Sequence, residues 1–405
     1  MGTIARIRPF FSPPMTVKKP IYLDNHATTK PDPRVIEATL PFLTDYFGNP
    51  ASVGHLYGWE AEAGVKKARQ IIAQAINAQE EEIIFTSGAT EANNLAIKGV
   101  AEAYFQKGRH IVTVSTEHNA VLEPCQYLQK LGFEVTYLPV KKNGLLDLDL
   151  LADSIRTDTI LVSVMTANNE IGVIQDIEKI GAICRERGVI FHTDAAQAIG
   201  KVPLDVEKMN IDLMSLTAHK IHGIKGIGAL YVRSRNPRVK LAPQIHGGGQ
   251  ERGLRSGTLS PPLIVSFGET IRIALQEMPR ENERQRQLRD YLWHKLSQLD
   301  GIRLNGDLQQ RLPGNLNVSI EGVNGPALLL ALNSKIAISS GAACSSGNPK
   351  PSHVLKALGH SDQLAKASLR FGLGRFTTQE EIEEAAEFVL ETIKILRRQK
   401  IAPHQ

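Results

Sequence analysis

Between about residue 60 and Val232, apolar side chains fall into short runs separated by longer stretches with helical spacing. The runs Ile83-Ile-Phe-Thr, Ile111-Val-Thr-Val, Val135-Thr-Tyr-Leu, Ile160-Leu-Val-Ser-Val-Met, Val189-Ile-Phe-His and Leu213-Met-Ser-Leu are rich in β-branched residues and predict strands. Segments between them, such as Ile177 to Arg187, carry the spacing of amphipathic helices. This alternation predicts an α/β architecture built on a mostly parallel sheet. Past Pro261 the pattern changes. One long, highly charged helical segment is expected from Glu269 to Leu299, with Pro279 as a possible break. Short apolar runs come next at Ile302-Arg-Leu, Leu316-Asn-Val-Ser-Ile, Ala337-Ile-Ser and Ser368-Leu-Arg-Phe, and a last helix is expected from about Gln379 to Arg398. These make a smaller α+β domain. The expected division is a flexible arm over 1–20, a large domain over 21–275 whose first residues can pack with the small domain, and a small domain over 276–405.

Composition narrows the function. Of 405 residues, 42% are hydrophobic, enough for more than one core. The net charge of +5 is spread without a long basic run, which argues against nucleic acid as a partner. No stretch approaches the roughly 18–20 apolar residues of a membrane span. The three cysteines, Cys125, Cys184 and Cys344, form no C-x-x-C pair, so neither a disulfide framework nor a structural zinc site is expected. A reducing, cytoplasmic setting fits them. The first fifteen residues carry two arginines but lack the apolar core of a signal peptide, and an organellar targeting role for this arm is the alternative.

In open α/β sheets, ligands bind beyond the carboxyl ends of the strands. Polar residues stand at those ends. Ile83-Ile-Phe-Thr runs into Ser87-Gly-Ala-Thr-Glu, a small-residue turn opening a helix, where free N–H groups and the Thr90 hydroxyl make an anion cup. The next strands lead to His118, to Asn168-Asn169-Glu170, to Asp194-Ala-Ala-Gln197, and to Thr217, His219 and Lys220. Each alone is an ordinary cap or turn residue. Together they match one ligand, pyridoxal phosphate. A lysine forms a Schiff base with its aldehyde, an aspartate holds its pyridinium proton, an imidazole stacks on the ring, an asparagine and a glutamine bond the ring hydroxyl, and the helix start takes the phosphate.

Cys344 and Arg370 point further. Cys125 and Cys184 share helical faces with apolar residues and read as core positions. Cys344 lies in Ser339-Ser-Gly-Ala-Ala-Cys-Ser-Ser-Gly-Asn, a small and polar stretch, and is a candidate nucleophile. Strand alternation sets Arg370 opposite Leu369 and Phe371, where a guanidinium can grip a carboxylate. His219 and His222 gather no further metal ligands in sequence, so no metal is expected.

With Asn168-Asn-Glu-Ile-Gly and Arg255-Ser-Gly-Thr258, these motifs resemble the class V aminotransferase-like enzymes, and within them the cysteine desulfurases of the NifS/IscS type, over nearly the whole chain. The resemblance implies the PLP-dependent transferase fold type I, with a large domain of mixed, mostly parallel sheet and a smaller α+β domain. It implies that Lys220 carries pyridoxal 5'-phosphate and moves a proton, that Asp194 pairs with the ring nitrogen, and that His118 stacks on the ring and helps deprotonate the substrate thiol. Asn169 and Gln197 then contact the ring substituents, and Ala89, Thr90, Thr217 and His219 hold the phosphate. Thr258 reaches the phosphate of a neighbouring subunit in a homodimer. Arg370 with Asn169 binds L-cysteine, and Cys344 becomes the persulfide, which passes to an acceptor such as an iron–sulfur scaffold protein. The alternatives are a selenocysteine lyase or cysteine-sulfinate desulfinase, a plain aminotransferase, and a non-catalytic protein on the same fold. The aromatic, acidic tail by which housekeeping relatives dock their scaffold is not matched by the stretch ending Ile-Ala-Pro-His-Gln405, so a different acceptor is possible.

Overall fold

The computed structural model describes residues 19–340 and 350–401. Its main sheet has seven strands in the order Ile83–Thr86, Gly228–Val232, Leu213–Thr217, Ile190–Asp194, Thr159–Ser163, His110–Val114 and Glu134–Leu138. Gly228–Val232 runs antiparallel to both its neighbours, while the other pairs are parallel. Six strands therefore point their carboxyl ends to one rim. The six expected runs all form strands of this sheet. The run beginning at Ile160 leaves the ladder at Ser163 rather than Met165, and the run beginning at Val189 continues to Asp194.

The unbroken apolar runs reflect burial on both faces. Alternate residues along each strand enter different cores. Ile84, Ile111, Leu161, Ile190 and Leu213 join one cluster, and Phe85, Val112, Val162, Phe191 and Met214 join another. A third cluster joins Leu316, Val318, Leu369 and Phe371 of a three-stranded antiparallel sheet to Ile382 and Val389 of the helix Gln379–Ile401.

The long helix is the main departure from expectation. It runs unbroken from Pro261 to Leu296, eight residues earlier than expected and straight through Pro279. Pro261 and Pro262 occupy its first turn, where a missing N–H costs nothing. The helix gives Phe267, Ile271 and Ala274 to one main-sheet core, and Leu288, Leu292 and Leu296 to the small-sheet core. Two separate burial sites on one rod hold it continuous past a residue that costs about 3 kcal/mol in an isolated helix interior. At the other end of the described chain, Ile21–Tyr22 pairs with Ile336–Ala337, and Leu23 is buried in the small-sheet core.

Candidate active site

A cavity of about 1030 Å³ opens on the rim formed by the strand ends. Ala89, Thr90, His118, Asn169, Asp194, Gln197, Thr217, His219, Lys220 and Arg370 all line it. Ten of the expected site positions, drawn from distant parts of the sequence, thus converge on one space. Thr258 does not. It lines a separate cavity of about 390 Å³ with Asn49, Arg69 and Glu251. Cys344 lies outside the described residues. The segments on either side of it do reach the site: Lys350, Ser352 and His353 line the cavity, and Ser339 Oγ donates to Asp24 Oδ2 at 2.9 Å.

Lys220 comes after the strand Leu213–Thr217 in a short 3₁₀ turn. Its Nζ donates to the backbone oxygens of His26 (2.6 Å) and Ala27 (2.7 Å). Burial, assisted by the charge of Arg370, lowers its pKa to about 8 against the partial opposition of Asp194 and Asp24. The two carbonyls engage two N–H bonds, so the unprotonated amine has its lone pair free for the cavity. A second lysine, Lys201, is lowered further, to about 7, by burial and then by Lys220. Its Nζ donates to Gln197 Oε1 at 3.2 Å.

Asp194 ends its strand with both oxygens engaged. Oδ2 accepts from Asn93 Nδ2 at 2.7 Å and Oδ1 from the Ala196 N–H at 2.9 Å. Asn93 sits on the helix Ala89–Ala103 and is fully buried. That helix begins at Gly88, whose φ of +155° favours glycine, and no side chain caps it. A Cβ on Gly228 would stand 2.7 Å from Gly88 Cα, so the strand beneath also needs glycine to admit the turn. The result is a helix start with first-turn N–H groups facing the cavity beside Thr217 and His219. Burial lowers the pKa of His219 to about 4, so the ring is neutral there.

His118 caps the helix Asn119–Lys130, its Nδ1 accepting from the Ala120 N–H at 3.0 Å. Its pKa is lowered, chiefly by burial. A neutral ring with Nδ1 engaged carries its hydrogen on Nε2, so His118 presents a donor to the cavity. Arg370 Nη2 pairs with Asp24 Oδ1 at 2.8 Å and Nη1 donates to Asn169 O at 3.1 Å, while its buried Nε has no partner. Asn168 stays out of the cavity. Its Oδ1 accepts from the N–H groups of Glu170 and Ile171 and its Nδ2 donates to Thr116 O, which shapes the loop that presents Asn169. Both ring nitrogens of His222 are taken by Lys30 O and the Arg375 N–H, so it makes no metal pair with His219.

The profile of the family described as "Aminotransferase class-V" matches residues 21–384. "Cysteine desulfurase IscS" of Methylococcus capsulatus is 56% identical over 387 residues, which span 96% of this chain and 95% of that one. The chain belongs to the class-V aminotransferases, among the cysteine desulfurases. A namesake in Neisseria meningitidis serogroup A is 57% identical over 383 residues, covering 95% of this chain and 94% of that one. Among solved structures, a "NIFS-LIKE PROTEIN" shares 38% identity at a TM-score of 0.86, covering 93% of this chain and 99% of the other. "SspA in complex with cysteine" shares 39% at 0.78, covering 88% and 100%. Cysteine desulfurases of this family depend on pyridoxal phosphate.

The cavity fits that cofactor on its own observations: an amine poised near neutrality, a buried carboxylate held at both oxygens, and an uncapped helix start. Sequence reasoning misses several residues that build the site, namely Asp24, His26, Asn93 and Lys201. In sequence, Ile21-Tyr-Leu-Asp marks only about where the resemblance begins. Its role lies in contacts made across the fold, such as the pair between Asp24 and Arg370.

Proposed function

We propose that the protein is a cysteine desulfurase that converts L-cysteine to L-alanine and leaves the sulfur as a persulfide on Cys344. The observation that carries this reading is Lys220, held by two carbonyls at the mouth of a strand and shifted to a pKa of about 8, in one cavity with Asp194 and Arg370. Pyridoxal phosphate, held at Lys220, Asp194 and the Ala89–Thr90 helix start with Thr217 and His219, would supply an aldehyde for the amine and an electron-accepting ring.

The chain's own groups perform the rest. Arg370 takes the substrate carboxylate with the Nη N–H bonds that Asp24 and Asn169 leave unused. Lys220, once its amine is released, takes the Cα proton. His118, with Nε2–H toward the cavity, returns a proton. The Cys344 thiolate attacks the substrate sulfur. A sulfur–sulfur bond forms and the Cβ–S bond breaks, its electron pair ending as a C–H bond of alanine. In sum, L-cysteine and the Cys344 thiol become L-alanine and the Cys344 persulfide, with no other oxidant or reductant. The flanks of the Cys344 segment support this, since both meet the cavity or its Arg370–Asp24 pair.

The test is direct. Purified protein given L-cysteine and dithiothreitol should form alanine and sulfide in equal amounts. Arg370→Ala should lower kcat/KM about 10- to 100-fold, mostly through KM, because a charge-assisted pair of this kind contributes roughly 1.5–3 kcal/mol. Absence of alanine from the unmodified protein would overturn the reading.

The enzyme is proposed to act as a homodimer. Leu43, Phe47, Leu56 and Trp59 are each more than half exposed, an apolar concentration that a monomer rarely leaves open. Thr258 lies away from its own chain's cavity beside Asn49, in keeping with service to a partner. Sedimentation velocity should give twice the chain mass, and a monomer at micromolar concentration would sink this part. A cytoplasmic site of action is proposed from the two buried free thiols, Cys125 and Cys184. The sulfur acceptor is proposed to be a protein, such as an iron–sulfur scaffold, docking at the Cys344 segment.

A further inference from the structure

A carboxylate stands where an anion is expected to bind. Glu91 lies in the first turn of the helix Ala89–Ala103 and lines the large cavity with Ser87, Gly88, Ala89 and Thr90. The free N–H groups of a helix start attract a phosphate, and a bare acid beside them would repel it. Two contacts remove the conflict. Glu91 Oε2 accepts from the Ser87 N–H at 2.8 Å, which fixes the turn ahead of the helix. Arg255 Nε donates to Glu91 Oε1 at 2.8 Å and its Nη2 to Oε2 at 3.3 Å, a two-pronged bond that cancels the charge. Burial works against an ionised Glu91, but the bonds from Arg255 and the Ser87 N–H hold its pKa below the ordinary 4.5. The pair is therefore ionic at working pH.

Arg255 is itself held from behind. Its loop is closed by the Gly257 N–H, which donates to Gln250 Oε1 at 2.8 Å. The buried carboxylate of Glu251 takes Arg69 through both oxygens, at 2.6 and 2.9 Å, and accepts from the Phe85 N–H at 2.6 Å. Arg252 Nη2 donates to Ile83 O at 3.0 Å. Ile83 and Phe85 belong to the strand that runs into Ser87. Glu251 and Arg252 have φ values of +49° and +56°, a left-handed conformation that such residues keep only where surrounding contacts enforce it. One loop thus braces both sides of the anion cup, the strand through Glu251 and Arg252 and the helix through Arg255.

We infer that Arg255 is a positioning residue for the cofactor's phosphate, which neutralises Glu91 and through it keeps the Ser87–Thr90 turn ready to take a dianion. Glu91 supplies the acceptor that the Ser87 N–H needs. Arg255 removes the charge that this acceptor would otherwise set against the phosphate. The inference rests on placing the phosphate at the Ala89–Thr90 helix start.

The experiment measures the dissociation constants of pyridoxal phosphate and of pyridoxal, which lacks the phosphate, on the full chain stripped of cofactor, by the absorption of the bound form. Arg255→Met keeps the aliphatic stem and removes the charge. It should weaken pyridoxal phosphate about tenfold and leave pyridoxal within about twofold. Glu91→Gln in the Arg255→Met background removes the repelling charge and keeps an acceptor for the Ser87 N–H, so it should recover most of that loss. A lost subunit contact would not be repaired by removing an acid, so this recovery is the deciding result. Glu91→Gln alone should not lower the preference for pyridoxal phosphate, and it answers the question if Arg255→Met fails to fold. An equal loss of both compounds in Arg255→Met would mean that the residue only braces the fold, and would overturn the inference. So would a preference unchanged within about twofold, a double variant as weak as Arg255→Met, or a tenfold fall in Glu91→Gln alone. If the unmodified chain held pyridoxal as tightly as pyridoxal phosphate, the placement of the phosphate itself would fail, a result separable from all of these.

Discussion

Replacing Lys220 by alanine is expected to lower alanine formation from L-cysteine by at least about 10²- to 10⁴-fold, the range attached to a positioned proton-transfer group. The loss should be in kcat, and the protein should also lose the absorption of a cofactor bound through an amine. The reason lies in how the lysine is placed. Its Nζ is gripped by the carbonyls of His26 and Ala27, and burial has lowered its pKa to about 8. A surface lysine lacks both features. Lys201 is the informative control, because burial lowers its amine further, to about 7. It borders a cavity of about 40 Å³ behind the site, room for about one water, and its Nζ is engaged by Gln197. Lys201→Ala should therefore keep cofactor absorption. Retention of more than a tenth of the activity in Lys220→Ala, with its loss in Lys201→Ala, would reverse the assignment.

The second large effect belongs to Cys344. Cys344→Ala should abolish persulfide formation and catalytic turnover while leaving the cofactor absorption intact. Cys125→Ala and Cys184→Ala should keep most of the turnover. The chain has three cysteines, and two of them are disqualified by their surroundings. Cys125 and Cys184 are almost wholly buried in the two main-sheet cores. Burial pushes the Cys125 thiol up to about 12 and the Cys184 thiol higher still. Since the thiolate is the nucleophile, neither can act at neutral pH. Alanine production by Cys344→Ala at the unmodified rate would instead mean that another thiol takes the substrate sulfur, and the assignment of Cys344 would fall. Peptide mass spectrometry after brief exposure to L-cysteine reads the same question at the modified sulfur.

The parts of this site legible in sequence are those that depend on local order. A short apolar run predicts a strand, and the residues just past its carboxyl end stand on the rim. His118, Asn169, Asp194, Gln197 and Lys220 are found in this way from position alone, and all line one cavity. The parts that are not legible depend on distant contacts. Asp24 and Arg370 are 346 residues apart, and His26 meets Gln197 across 171. Nothing in the local pattern of Asp24-Asn-His26 separates it from an ordinary turn. Asn93 is hidden for another reason. It occupies a buried position on a helix, where spacing predicts a core residue, and its amide is used to hold Asp194. The helix Pro261–Leu296 starts earlier than its pattern suggests because a Pro-Pro pair reads as a break, although the first turn of a helix tolerates it. Pro279 reads as an interruption only when interior propensity is weighed without the two cores that clamp the helix on either side.

The assignment of Lys220 as the cofactor's anchor is tested most directly by borohydride reduction of the cofactor-loaded protein, with digestion and peptide mass spectrometry of the product. The reduced pyridoxyl group should be found on the peptide containing Lys220, at that residue. Its recovery on Lys201, Lys225 or any other lysine, or its absence from the protein altogether, would mean that the cavity at the strand ends is not the cofactor site.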